Sequence, residues 1–358
     1  MLAGPLVALG ALLLAYVVTR HAGVPLRDPD GVASSRLIFA LGLVGVLVLV
    51  DVLVRAWLGA GRVRPTRDDV LGLVRERWTR ERVVPLAMAL FCFFATYFAY
   101  RNLKSVVPLI RPDTMFDDEL TDLETGWFGG EQPAALLHDL LGTGAAAHVL
   151  SSVYLLLFIF IPVTLATSLV FSTRLDQGLF YTTALGLNWI IGAGTYYILP
   201  SLGPFAVDPQ VFAGLPDTAV RDLQETLATE RAEFLADPTA AGAAQSIGAF
   251  ASLHVSIFVT GALAAHLLGL PGRVKAIAWA LTGLTVLSTI YFGWHYLLDA
   301  VGGVALAIVA LALSRAITGV DLAAARRRGR ERARGAEHAL PPEPGREREL
   351  GEPAAERV

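Results

Sequence analysis

Apolar residues dominate long stretches of the chain, and the polar positions fall between them. Apolar runs of about 17–24 residues occur eight times, at roughly 2–18, 37–58, 83–103, 148–171, 179–199, 249–270, 274–291 and 296–317. At 1.5 Å per residue, such runs match the ~30 Å hydrocarbon core of a bilayer. Only "YFGW" parts the last two. The pattern predicts an all-α fold, a polytopic membrane helix bundle of about eight transmembrane helices with helical extracytoplasmic loops. Within one loop, 216–238, Val220, Leu223, Leu227 and Phe234 fall on a single stripe. That spacing predicts an amphipathic helix, a lid or a cap. No period of 20–50 residues stands out, which argues against a solenoid.

Composition strengthens the membrane reading. The chain is 54% hydrophobic with a mean hydropathy of +0.55, too apolar for a soluble domain of 358 residues. A net charge of −3 gives no bulk attraction for nucleic acid. The one cysteine, Cys92, lies in an apolar run, where a packing role is expected and no intrachain disulfide can form. The first run lacks a basic leader and is expected to be a retained span.

Charge sets the expected orientation. Arg62, Arg64, Arg67, Arg75, Arg77, Arg80 and Arg82 lie between the second and third runs, and Arg326, Arg327, Arg328, Arg330, Arg332 and Arg334 follow the last. Positive loops stay inside, so both clusters and both termini are expected in the cytoplasm, as is the link at Arg273 and Lys275. The acidic loops 104–147 and 200–248 are then outside. Arg20, Arg27 and Arg36 weakly oppose this and are outweighed. Three regions follow: N-terminal spans with a basic cytoplasmic loop (1–82), a membrane catalytic region (83–317), and a charged tail (318–358) expected to be disordered.

This orientation carries four polar elements to the outer face. They are Lys104, "YYILPSLGP" at 196–204, His254 with Ser252, and His295 with Asp299. His295 and Asp299 are four apart on a helix and can touch. The carboxylate can hold the imidazole in one tautomer, or Asp299 can simply cap the helix while His295 anchors at the interface. Ser252 stands where a helix starts, either as an N-cap or as part of an anion site. Paired histidines could act as nucleophile and acid–base group at phosphorus. Lys104 and Arg111 could stabilise the charge developing there, or lie among lipid headgroups. Pro200 breaks its helix, either to line a cavity or to end a span. Asp51 and Arg55 read as a structural ion pair, and His266 as packing or interface.

"KSVVPLIRP", "ASLH" and "STIYFGWHYLLD" occur in the order of the Lys-x6-Arg-Pro, Pro-Ser-Gly-His and Ser-Arg-x5-His-x3-Asp elements of the type-2 phosphatidic acid phosphatase superfamily, which the chain resembles over about 83–317. Ala251 and Leu253 replace the Pro and Gly of the second element, Thr289 stands in the place of the third element's Arg, and the first element lies unusually far upstream. These departures, with the "YxxxPxxGP"-like Tyr196–Pro204 stretch, resemble the inositolphosphotransferase-like branch related to fungal inositol phosphorylceramide synthase. The resemblance implies His295 as nucleophile, Asp299 as its orienting partner, His254 as acid–base group and Ser252 as a phosphate contact. Lys104, Arg111, Tyr197, Pro200 and Gly203 complete the expected substrate-binding set. The expected activity is transfer of phosphoryl or phospho-headgroup units on a membrane lipid at the outer face. The acceptor is a polyol or sugar hydroxyl, or water in a lipid phosphate phosphatase. No cofactor or metal is expected. The competing reading from another class is a proton-coupled transporter, with the same ionisable groups as a relay. Their clustering at one face and the lack of an inverted repeat disfavour it.

Overall fold

The computed structural model describes residues 3–60, 64–172 and 174–338, and all regular structure among them is helical. In chain order the helices are α1 (Ala3–His21), α2 (Val32–Ala60), α3 (Arg67–Arg77), α4 (Arg80–Ser105), α5 (Val107–Ile110), α6 (Asp117–Trp127), α7 (Pro133–Leu141), α8 (Ala145–Leu155), α9 (Leu157–Phe171) and α10 (Leu175–Ile198). They continue with α11 (Pro204–Val207), α12 (Ala219–Ala236), α13 (Leu253–Leu267), α14 (Gly272–Tyr291), α15 (Leu297–Thr318) and α16 (Leu322–His338).

Every apolar run of the sequence contains helix, but six helical stretches among the described residues are both long and apolar enough to cross a bilayer. These are α1, most of α2, α4, the α8–α9 pair, α14 and α15. The other two runs fall short for different reasons. The run at 249–270 spends its first residues approaching the Ser252 cap, which leaves α13 with 15 helical residues. The 24-residue α10 packs between α4 and α15, so protein rather than lipid covers much of it. Its polar Thr182 and Asn188 are accordingly buried. The six long stretches make this a membrane protein of helical-bundle type.

Small residues set the closest helix contacts. A Cβ at Gly178 on α10 would lie 2.6 Å from the Ser168 carbonyl oxygen on α9, and one at Gly303 on α15 would lie 2.6 Å from that of Ser252. At the end of the bundle formed by the α2 C-terminus, Asp51 is buried and accepts from Arg55 at 2.8 Å and from Arg77 at 2.6 Å. The expected ion pair is therefore a three-residue cluster that ties α3 to α2. Nearby Arg82 donates to the carbonyls of Leu169, Val170 and Ser172, closing the end of α9. The tail expectation is corrected in part: α16 is a helix, anchored by buried Val320, Leu322 and Ala325, with Gly329 against Gly269. Residues 339–358 lie outside the described residues.

The opposite end of the bundle gathers the end of α4, the end of α10, the start of α13 and the α14–α15 junction. Over it lie α6, α7 and the expected amphipathic helix, α12. Val220 and Phe234 of α12 are fully buried, and Leu223 and Leu227 pack beside Phe212, Tyr291 and Trp294.

Candidate active site

The α14–α15 junction turns at Gly293, where φ is +65°, and the Thr289 carbonyl accepts from Trp294 N at 2.9 Å and His295 N at 3.4 Å. Tyr296 then caps α15. Asp299 Oδ2 accepts from Tyr296 N at 2.9 Å and faces His295 Nδ1 at 3.3 Å. One carboxylate oxygen thus serves as helix cap and as histidine partner, and the two readings of Asp299 are compatible. Asp299 is fully buried, and its Oδ1 has no hydrogen-bond partner among the described residues. His295 is also nearly buried, at 6% exposure.

Ser252 caps α13: its Oγ accepts from Val255 N at 3.3 Å, while its own N–H donates to the Asp299 carbonyl at 3.0 Å. Together with the close approach at Gly303, that bond lays the first turn of α13 across the first turn of α15. His254 follows two residues after the cap. Its ring centroid is 5.9 Å from that of His295. It stacks on Tyr154 at 4.3 Å, and Tyr154 stacks on Trp294 at 5.5 Å. The aromatic stack fixes the ring plane, and His254 Nε2 is buried without a partner among the described residues. Two orphaned polar atoms, on His254 and Asp299, flank one histidine pair. Buried polar atoms left unpaired are uncommon, and a bound group is a ready explanation.

Lys104 completes the cluster. Its Nζ lies 4.6 Å from the centre of the Tyr196 ring and 5.8 Å from that of Tyr100. Its stem passes Gly248, with Cε 3.1 Å from where a Cβ there would stand. Among the described residues no carboxylate pairs with it. An unneutralised ammonium beside two imidazoles suits an anion.

The other expected binding residues fall outside this cluster. Tyr197 gives its hydroxyl to the Leu103 carbonyl at 2.6 Å, and it is the neighbouring Tyr196 that reaches Lys104. Arg111 Nη1 donates to the Tyr197 carbonyl at 2.7 Å. Gly203, with φ of +98°, is packed where a Cβ would meet the Trp294 carbonyl oxygen at 2.5 Å. Only glycine fits so close to another backbone there. Pro200 accepts from Phe116 N at 2.9 Å and lines a side cavity with Arg111. The "PSLGP" segment is therefore a brace against the α14–α15 turn, strengthened by Phe205 N donating to the Gly293 carbonyl at 3.0 Å. Thr289 is buried, with its hydroxyl on the Val286 carbonyl. His138 is held by the Tyr291 carbonyl at 2.8 Å, and His266 accepts from Trp279 at 3.0 Å; both stand apart from the cluster.

Two positioning residues escaped sequence reasoning. Asp117 accepts from Leu202 N and Gly203 N, each at 2.9 Å, and from the Tyr296 hydroxyl at 3.0 Å. Glu124 accepts from Leu297 N, the first amide of α15. Burial raises the Asp117 pKa against the pull of those N–H groups, and pushes Glu124 up to about 7. The two stand seven apart, hence on one face of α6. That spacing was the available signal, hidden among the other acids of the same loop. Among the described residues no group of three His, Cys, Asp or Glu side chains is arranged to hold a metal ion.

A family model described as the PAP2 superfamily matches residues 118–313, more than half of the chain. The match spans Ser252, His254, His295 and Asp299, and begins after Lys104 and Arg111. No curated protein and no solved structure matches the chain.

Proposed function

Because the chain belongs to the PAP2 superfamily, whose membership points to phosphatase or phosphotransferase chemistry, we propose that it transfers phosphoryl or phospho-headgroup units on a membrane lipid through a phosphohistidine at His295. The observation that carries this reading is the histidine pair, with ring centroids 5.9 Å apart, one backed by Asp299 at 3.3 Å and the other ending in an unpartnered Nε2.

The transfer runs in two displacements. In the first, the His295 Nε2 lone pair forms a bond to phosphorus as the bond from phosphorus to the departing oxygen breaks. His254, entering as imidazolium, gives its proton to that oxygen. Asp299 holds Nδ1 and offsets the positive charge that grows on the His295 ring. In the second, neutral His254 takes the proton of the acceptor hydroxyl, the acceptor oxygen bonds to phosphorus, and the P–N bond breaks. His254 ends protonated and His295 free. Lys104 stabilises charge on the non-bridging oxygens, and the Ser252 hydroxyl, whose oxygen accepts in the cap, still has its hydrogen to donate.

A transferase of the inositolphosphotransferase-like kind is the finer form of this proposal. It is supported by "ASLH", "HYLLD" and the Tyr196–Pro204 brace, and by a threonine at 289 where the superfamily pattern has arginine. A phosphatase differs only in using water as acceptor. We place the site on the extracytoplasmic face from the arginine distribution. The test is incubation of purified protein with labelled lipid phosphates and phospholipids, with and without inositol or a sugar as acceptor. An acid-labile, base-stable phosphoenzyme that disappears in His295→Ala is expected. A fully active His295→Ala variant would sink the mechanism, and product formed only when an alcohol is added would select the transferase.

A further inference from the structure

A cavity of about 370 Å³ opens beside the histidine cluster, and its lining includes Arg111, Arg231, Tyr196, Pro200, Gln245 and Gly248 but neither histidine nor Lys104. Tyr196 and Gly248 form the partition, since Lys104 touches both: its Nζ is 4.6 Å from the Tyr196 ring centre, and its Cε is 3.1 Å from where a Gly248 Cβ would stand. The cavity is thus next to the site and distinct from it.

Its two cations come from different elements. Arg111 follows α5, and Arg231 projects from α12. Among the described residues each is held through one protein acceptor: Arg111 Nη1 on the Tyr197 carbonyl at 2.7 Å, and Arg231 Nη1 on Gln245 Oε1 at 3.3 Å. A guanidinium carries five N–H donors, so most on each side are left for a ligand. The nearby carboxylates do not neutralise the pair. Asp117 is the one whose charge acts on Arg231, and its oxygens already accept from Leu202 N, Gly203 N and the Tyr296 hydroxyl. Asp113 stands at the exposed rim. Burial lowers the Arg231 pKa, a cost that an anion between the guanidiniums would relieve.

We infer that this cavity is a second phosphate subsite, in which Arg111 and Arg231 hold a phosphate group other than the one transferred to His295. The inference rests on the phosphotransfer reading and deepens it. It assigns a role to α12, and it makes the substrate set one that carries two phosphates at once. The second phosphate belongs either to a lipid diphosphate donor or to a phosphorylated polyol acceptor. Two guanidiniums lining one cavity suit phosphate because each can donate a fork of two parallel hydrogen bonds.

The test measures binding, so it does not depend on turnover. Full-length protein in detergent micelles carrying His295→Ala is titrated with a lipid monophosphate, the matching lipid diphosphate, and glycerol phosphate with the monophosphate lipid already bound. Arg231→Gln is then added, because its amide can still donate to Gln245 while the charge is gone. Arg231→Lys restores charge without the fork, and melting temperatures check that each variant is folded. If the donor supplies the second phosphate, the diphosphate binds on the order of tenfold more tightly than the monophosphate, and Arg231→Gln erases that preference. If the acceptor supplies it, Arg231→Gln weakens glycerol phosphate by a similar factor and leaves both lipids unchanged. Folded Arg231→Gln protein with unchanged affinity for all three probes would overturn the subsite. Failure to trap a phosphoenzyme in the otherwise native protein would instead overturn the His295 mechanism and leave the binding result standing.

Discussion

Gly303 offers the sharpest test of how the two motifs are brought together. A Cβ there would lie 2.6 Å from the Ser252 carbonyl oxygen and 3.2 Å from both Ser256 N and Val255 Cβ. The first two obstacles are backbone atoms of α13, so no side chain can rotate away to make room. Relief to an ordinary contact of 3.4 Å requires α13 and α15 to part by about 0.8 Å. Overpacking of this kind costs about 1–3 kcal/mol. The displaced segment carries His254, whereas His295 and Asp299 stay with α15. A reacting group moved by about 1 Å can lose on the order of 100-fold in rate, so Gly303→Ala should lower turnover roughly 10- to 100-fold. Gly283 on α14 is the control, because nothing lies within 4 Å of its Cβ position. Alanine there should be neutral or stabilise by up to about 1 kcal/mol, the usual gain from replacing a helical glycine. Melting temperature in micelles and turnover at a temperature where both variants are folded are the measurements. Native turnover and melting temperature in Gly303→Ala would refute the claim that this helix contact sets the histidine pair.

Three further outcomes follow from the same geometry. Asp299→Asn should retain the cap on Tyr296 N yet lose on the order of 10²- to 10⁴-fold in turnover, since an amide cannot offset charge on His295; near-native turnover would reduce Asp299 to a cap. Glu124 is held at about 7 when folded against an ordinary 4.5, so its contribution to stability is full below about 4.5 and is lost as pH rises through 7. Melting temperature should therefore fall from pH 5 to pH 8, and less steeply in Glu124→Gln; identical slopes would contradict the burial argument. In a Cys92→Ser background, an impermeant thiol reagent applied to intact cells should label Ala228→Cys on α12 but not Arg273→Cys, both positions being exposed. The reverse pattern would put the site on the cytoplasmic face.

The bundle was legible because hydrocarbon thickness acts directly on sequence: a run long and apolar enough to span has few other uses. The same logic explains where the signal is weakest. α10 reads as a span from 179–199, and its buried Thr182 and Asn188 dilute the apolar signal; Asn188 is held by protein, donating to the Thr260 hydroxyl at 3.1 Å and to the Ala184 carbonyl at 2.7 Å. Hydropathy reports solvent, not partners. The histidine motifs were legible because His, Asp and Ser at fixed helical spacing imply contact without knowledge of the rest of the fold. Residues acting across long sequence separations were not. Asp117 reaches Leu202 and Tyr296, and Arg231 reaches the cavity of Arg111, only through tertiary packing. The bracing role of Pro200–Pro204 was likewise hidden, because the close approach of Gly203 to the Trp294 carbonyl oxygen, 2.5 Å from where a Cβ would stand, joins segments about 90 residues apart.

Thr289 shows how a lost charge can be absorbed by the architecture. The side chain that the superfamily pattern makes arginine is here a buried hydroxyl on the Val286 carbonyl, while the Thr289 carbonyl holds the amides of Trp294 and His295. An arginine at this fully buried position would need an acceptor set that the turn does not supply, and burying it unpaired would be costly. On the proposed reading, positive charge must then come from elsewhere around phosphorus, and Lys104 is the cation nearest the histidine pair. A lysine is a compact point charge on a flexible stem, whereas arginine imposes a planar fork. Replacing the fork by a point charge loosens the orientation demanded of the transferred group at His295. Orientation would pass to whatever holds the remainder of the substrate, and the pair of guanidiniums beyond Tyr196 is placed to do so. In this arrangement selectivity lies in the cavity and reactivity in the histidine pair, so changes at Arg231 should alter which substrates are used before they alter how fast phosphorus is transferred.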